Sequence, residues 1–96
     1  MRGQSLRDAI LAAIGKHIDL SQYDVFIFGS EASGVATSRS DVDIGLRGRG
    51  PLQRSTIQRI RDELAGLRTL RTFDVVDFSA SDPAFVHNAL QHAEKL

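Results

Sequence analysis

The chain has 96 residues, 42% of them hydrophobic and 25% charged, with a formal net charge of zero and no cysteine. That length suits one domain, residues 1–96, and leaves little mass for a second substrate-binding lobe. The absence of cysteine excludes a disulfide framework or a thiolate metal site, and no apolar run reaches the roughly 18 residues that read as a membrane span. Neutrality argues against broad coating of nucleic acid, so no direct nucleic-acid binding is expected. A cytoplasmic location fits this composition.

In chain order, Ser5 predicts a helix N-cap, with Asp8 three residues on completing a capping-box-like start. Leu6, Ile10, Ala13 and Ile14 then fall on one helical face. Gly15 and the segment Asp19–Gln22 end that helix. Val25-Phe26-Ile27-Phe28 reads as a buried strand over about 23–28. Gly29-Ser30 turns the chain into a short helix or loop, which Gly34 breaks. A second strand is expected over about 41–46. Gly48, Gly50 and Pro51 make a loop, with Pro51 suited to the first position of the next helix. Leu52, Ile57, Ile60, Leu64 and Leu67 repeat at near-helical spacing, and Gly66 suits that helix's end. Thr72–Phe78 predicts a third strand. Asp82 caps a last helix with Pro83 in its first turn, and Phe85, Ala89, Leu90 and Ala93 form its apolar stripe. The expected class is α/β (α+β), a small mixed sheet of about three strands with helices packed on one face. The strand order is not legible in this pattern.

The chemistry concentrates around Asp41-Val42-Asp43. Strand side chains alternate faces, so both carboxylates point one way while Val42, Ile44 and Leu46 point the other. Paired carboxylates converge on hard cations such as magnesium, and a glycine-serine turn beside them suits phosphate. Two metal ions about 3.5–4 Å apart need several carboxylates on one point. Asp74 and Asp77 compete for the third place from opposite faces of the third strand, and periodicity favours Asp74 only mildly. An Asp-Val-Asp triplet or a Gly-Ser turn alone is commonplace. Their spacing, their flanking strands and the downstream aspartate make the set specific. Residues 47–71 hold seven arginines against Asp62 and Glu63, which reads as a solvated helix face or as a handle for an anionic ligand or partner.

Phe28-Gly29-Ser30, then Gly34, then Ser40-Asp41-Val42-Asp43-Ile44 resembles the signature of DNA polymerase beta-type nucleotidyltransferases. The length and the run Phe73-Asp74-Val75-Val76-Asp77-Phe78 resemble its minimal nucleotidyltransferase group, which includes antitoxins paired with HEPN toxins. The resemblance spans about residues 23 to 90. It implies a nucleotidyltransferase fold in which Gly29 and Ser30 bind nucleotide phosphates. It also implies that Asp41, Asp43 and Asp74 are catalytic and hold two Mg2+ ions, with Asp74 also helping to deprotonate the acceptor hydroxyl. The implied reaction moves AMP from ATP to a hydroxyl, expected to be a tyrosine, of a HEPN partner and so neutralises that toxin. Relatives often carry arginines where this chain has Glu31 and Ser33, which weighs against tight ATP binding. Arg39, Arg47 or Arg49, near in sequence, could compensate from neighbouring loops. A catalytically silent antitoxin or binding module that works by contact alone is the rival expectation. A fragment acting on a small molecule or an RNA end is a third.

Overall fold

The structure is a computed structural model that describes residues 5–29, 41–69 and 71–96. Helix α1 runs Leu6–Gly15, and Ser5 caps it: its backbone is extended, and its Oγ accepts from the Asp8 N–H at 3.1 Å. That bond satisfies one of the orphan donors of the first turn. Ile10, Ala13 and Ile14 are buried, the face that the 3.6-residue spacing sets apart.

Four strands form one sheet: β1 (Asp24–Phe28), β2 (Val42–Arg47), β3 (Phe73–Asp77) and β4 (Glu94–Lys95). They lie in the order β3-β2-β1-β4. β1 pairs antiparallel with β2 and β4, and β2 pairs parallel with β3. A parallel pair needs a long crossover. Helix α2 (Arg54–Ala65) supplies it, with Gly66 at its C-cap. The two-residue β4 has no counterpart in the sequence reading. It is too short for an alternation signal, and only pairing with Phe26 and Ile27 makes it a strand.

The core lies between the sheet and the pair α1 and α2. Val25 and Ile27 from β1, Val42, Ile44 and Leu46 from β2, and Val75 from β3 meet Ile10, Ile14, Ile60 and Leu64 there. Burying each such side chain contributes about 1.5–3 kcal/mol. Glu63 of α2 ties the helices together: it takes Lys16 Nζ at 3.0 Å and His17 Nε2 at 3.1 Å. These bonds hold the Glu63 carboxyl below its usual range, the Lys16 bond first and the His17 bond next. No helix of the described residues is long and apolar enough to cross a membrane.

The other face of the sheet is partly covered by aromatic rings. After β3 the chain makes a single 3-10 turn at Phe78–Ala80, then helix α3 (Pro83–Leu90). Asp82 caps α3, its Oδ1 accepting from the Ala84 N–H at 3.1 Å. Phe78 lies directly over Gly45, where a Cβ would enter its ring. Ring centroids of Phe28 and Phe78 are 5.3 Å apart, and Phe85 from α3 meets Phe28 edge-on at 6.1 Å. The helix ends before Ala93, which therefore lies outside its apolar stripe.

Asp77 has a structural place. Its Oδ2 accepts from the Leu52 N–H at 2.7 Å and its Oδ1 from the Ser79 N–H at 3.0 Å. Ser79 Oγ in turn takes the Gly48 N–H at 3.1 Å. The end of β3 thus clamps the loop between β2 and α2. This also corrects the expected start of α2. Pro51 lies three residues before the first helical residue, Arg54, because Gln53 is the extended cap and Leu52 is held on Asp77. We expect Asp77→Ala to lower stability by about 1.5–3 kcal/mol, the usual worth of hydrogen bonds to a charged group. Urea unfolding checks it. A change under about 0.5 kcal/mol would show that solvent replaces the clamp.

Candidate active site

The end of β1 and the starts of β2 and β3 lie at one edge of the sheet, and register decides what meets there. Phe28 of β1 stands opposite Asp43 of β2, and Asp43 stands beside Asp74 of β3. Neighbouring residues on paired strands, about 4.8 Å apart, share a face. Val42, Ile44 and Val75 point into the core, so Asp43 and Asp74 point out of it. Asp74 is exposed and Asp43 half-buried. Asp41 sits just before β2. Its Oδ1 accepts from Thr72 Oγ1, and the neighbouring Val42 N–H donates to the Thr72 carbonyl at 2.8 Å. Thr72 is a member of this cluster that the sequence reading did not single out. Its hydroxyl has no motif of its own, and only the β2–β3 pairing brings it to Asp41.

Electrostatics mark the same spot. The Asp43 carboxyl is pushed above its usual range, first by burial, then by repulsion from Asp74 and then from Asp41. A cluster of like charges on hard oxygen donors suits a divalent cation. Among the described residues, however, no three His, Cys, Asp or Glu side chains form a ready-made metal cage.

Gly29 is the turn that abuts the cluster. Its φ is +74°, a conformation open to glycine and strained for other residues. A Cβ there would collide with Asp43 Oδ2. The backbone of the turn therefore lies against the Asp43 carboxylate, an approach that a side chain at position 29 would block. Ser30, Glu31, Ser33, Gly34 and Arg39 lie outside the described residues.

Of the other candidates, Asp77 is spent on the loop clamp. Arg47 sits at the far end of β2, about 13 Å along the strand from Asp43. There it lines a groove with Ser79, Ser81 and His87. Arg61, one of the seven arginines, donates from Nη2 to the Val75 carbonyl at 3.1 Å and so covers the outer edge of β3. A cavity of about 500 Å³ lies between the start of α1 and Leu67, Arg68, Thr69 and Arg71. It contains none of the carboxylates, which sit instead on an open ledge.

Comparison with known proteins bears on the fold and the family. A match to curated proteins is lacking at a significant level. Among solved structures, a toxin–antitoxin complex with AMP-PNP superposes with a TM-score of 0.80 at 18% identity, covering 95% of this chain and 72% of the other. A variant of the MntA–HpeT toxin–antitoxin pair gives 0.74 at 17%, covering 96% and 71%. A complex of a tri-AMPylated HEPN toxin with its MNT antitoxin from Shewanella oneidensis gives 0.68 at 16%, covering 90% and 64%. At such identities these likenesses establish the fold. The family described as "Polymerase beta, Nucleotidyltransferase" matches residues 12–96. With nearly the whole length matched, the chain belongs to the polymerase beta-type nucleotidyltransferase family.

Proposed function

We propose that this protein is a magnesium-dependent adenylyltransferase that moves AMP from ATP to a hydroxyl, a tyrosine in the simplest case, of a HEPN-domain partner, and that it acts as that toxin's antitoxin. The observation that carries the reading is the register that sets Asp43 beside Asp74, with Asp41 close enough to repel Asp43 and a positive-φ glycine against them. The fold likeness to toxin–antitoxin structures, one with AMP-PNP and one with an AMPylated toxin, supports the choice of nucleotide and partner.

In this scheme Asp41, Asp43 and Asp74 would hold Mg2+, two ions in the full arrangement, and the metal would supply charge neutralisation at the phosphates. Gly29 and Ser30 hold the phosphates through backbone N–H groups and the serine hydroxyl. The partner's hydroxyl oxygen forms a bond to the α-phosphorus, the bond to the bridging oxygen breaks, and pyrophosphate leaves. Asp74, exposed where its neighbour Asp43 is half-buried, would receive the hydroxyl proton. The open ledge suits an acceptor carried on another chain. The reaction would run in the cytoplasm, where ATP is abundant.

The test is transfer of label from α-labelled ATP to a co-purified HEPN partner with magnesium present. We expect one labelled band at the partner's mass, lost when EDTA removes the metal. A partner that stays unlabelled while the pair still forms would end the catalytic reading and leave neutralisation by contact.

A further inference from the structure

Beside the carboxylate ledge lies an open groove of about 390 Å³ between the end of β1 and α3. Phe28, Gly29, Phe85, Asn88, Ala89 and His92 line it. We propose that this groove seats the nucleobase of the substrate nucleotide and selects adenine. The proposal rests on the nucleotidyltransferase reading and adds what sets its nucleotide preference.

Three features point to a planar, polar-edged ring. The groove is continuous with the ledge through Gly29, the same residue whose backbone bears on Asp43. A molecule with its base in the groove therefore keeps its phosphates at the carboxylates. Phe85 is 44% exposed, although its helix has Phe28 and Phe78 to pack against. An aromatic ring left open at the mouth of a site offers a stacking platform, worth about 5- to 150-fold in affinity for each base stacked. Asn88 follows Phe85 by three residues on α3, so the two side chains sit on one helical face. The Asn88 side-chain amide has no hydrogen-bond partner among the described residues, its carbonyl on the backbone alone being used, by Gln91. A free amide beside a stacking ring pairs two-fold with the amino group and ring nitrogen of adenine. Guanine presents an oxygen where adenine has its amino group and loses one of the two bonds.

Isothermal titration of the protein with Mg-ATP, Mg-GTP and Mg-tripolyphosphate tests this without any need for transfer. The wild type should bind ATP at least tenfold tighter than GTP or tripolyphosphate. Phe85→Ala should weaken ATP about tenfold and leave tripolyphosphate unchanged. Asn88→Ala should bring the ATP and GTP affinities to within about twofold. Asn88 is exposed on a helix and alanine is the better helix former, so this variant keeps its fold, which circular dichroism verifies. Equal wild-type affinity for all three ligands, or variants that leave ATP binding unchanged, would overturn the base site while the nucleotidyltransferase reading stood. Variants that lose the HEPN partner but keep ATP would assign the groove to the protein interface instead. A wild type that binds none of the three ligands would remove both readings together.

Discussion

Replacing Asp41 and Asp43 together with asparagine should lower AMP transfer by about a thousandfold or more, the several kcal/mol that positioned metal ions contribute to a charged transition state. The fold should survive and its melting temperature should rise. Asparagine keeps an acceptor oxygen for Thr72 Oγ1 at position 41. At position 43 it removes a carboxyl that burial, Asp74 and Asp41 all hold above its usual range. A carboxyl whose folded pKa is raised weakens the fold once ionised. Its penalty is absent below the unfolded value of about 3.9 and grows as the pH rises through the folded one. The gain in melting temperature should therefore be present at pH 7 and vanish in acid. Thermal melts at both pH values and labelled-ATP transfer check the pair of effects. A variant that melts lower at neutral pH would contradict the crowding of the carboxylates. One that still silences the partner fully would show that contact, and not transfer, neutralises it.

Gly29→Val is expected to damage stability and activity at once. Its φ of +74° is strained for a β-branched residue, at about 1–3 kcal/mol. The added carbons also run into Asp43 Oδ2, so either the turn or the carboxylate must move. We expect about 2–3 kcal/mol lost in urea unfolding, since a backbone shift relieves part of the combined strain and overpacking. Transfer should fall about a hundredfold, since a displacement near 1 Å is enough for that. Gly66→Ala is the control. Gly66 closes α2 with an ordinary right-handed φ of −83°, and a Cβ there meets nothing nearer than 3.4 Å. Equal effects of the two substitutions would mean that loss of glycine flexibility, and not the contact with Asp43, explains the damage.

The sheet's inward face was legible because β2 alternates without a break: Val42, Ile44 and Leu46 are all buried. The caps of α1 and α3 were legible because Ser5 and Asp82 act on neighbours within their own turn. Other features depend on partners far away in the chain. Pro51 suits a helix start, but Leu52 is held by Asp77, 25 residues on, and delays the helix to Arg54. β4 exists only because β1 pairs with it. Phe78 and Phe85 sit on the carboxylate face because Gly45 leaves room for a ring, a fit between residues of different elements.

The same division runs through the site. The motifs Phe28-Gly29-Ser30 and Ser40-Asp41-Val42-Asp43-Ile44 carried the resemblance to the family, which the family match bears out, because each is a short run that can be read without knowing its neighbours in space. Which of Asp74 and Asp77 joins the cluster was decided only by folding. Both lie on β3 and alternate in face from one another, and nothing local separates a carboxylate that meets Asp43 from one that clamps a loop. The parallel register of β2 with β3 makes that choice, and that register puts Val75 into the same core as Ile60 and Leu64 of α2, a packing no short stretch of sequence contains.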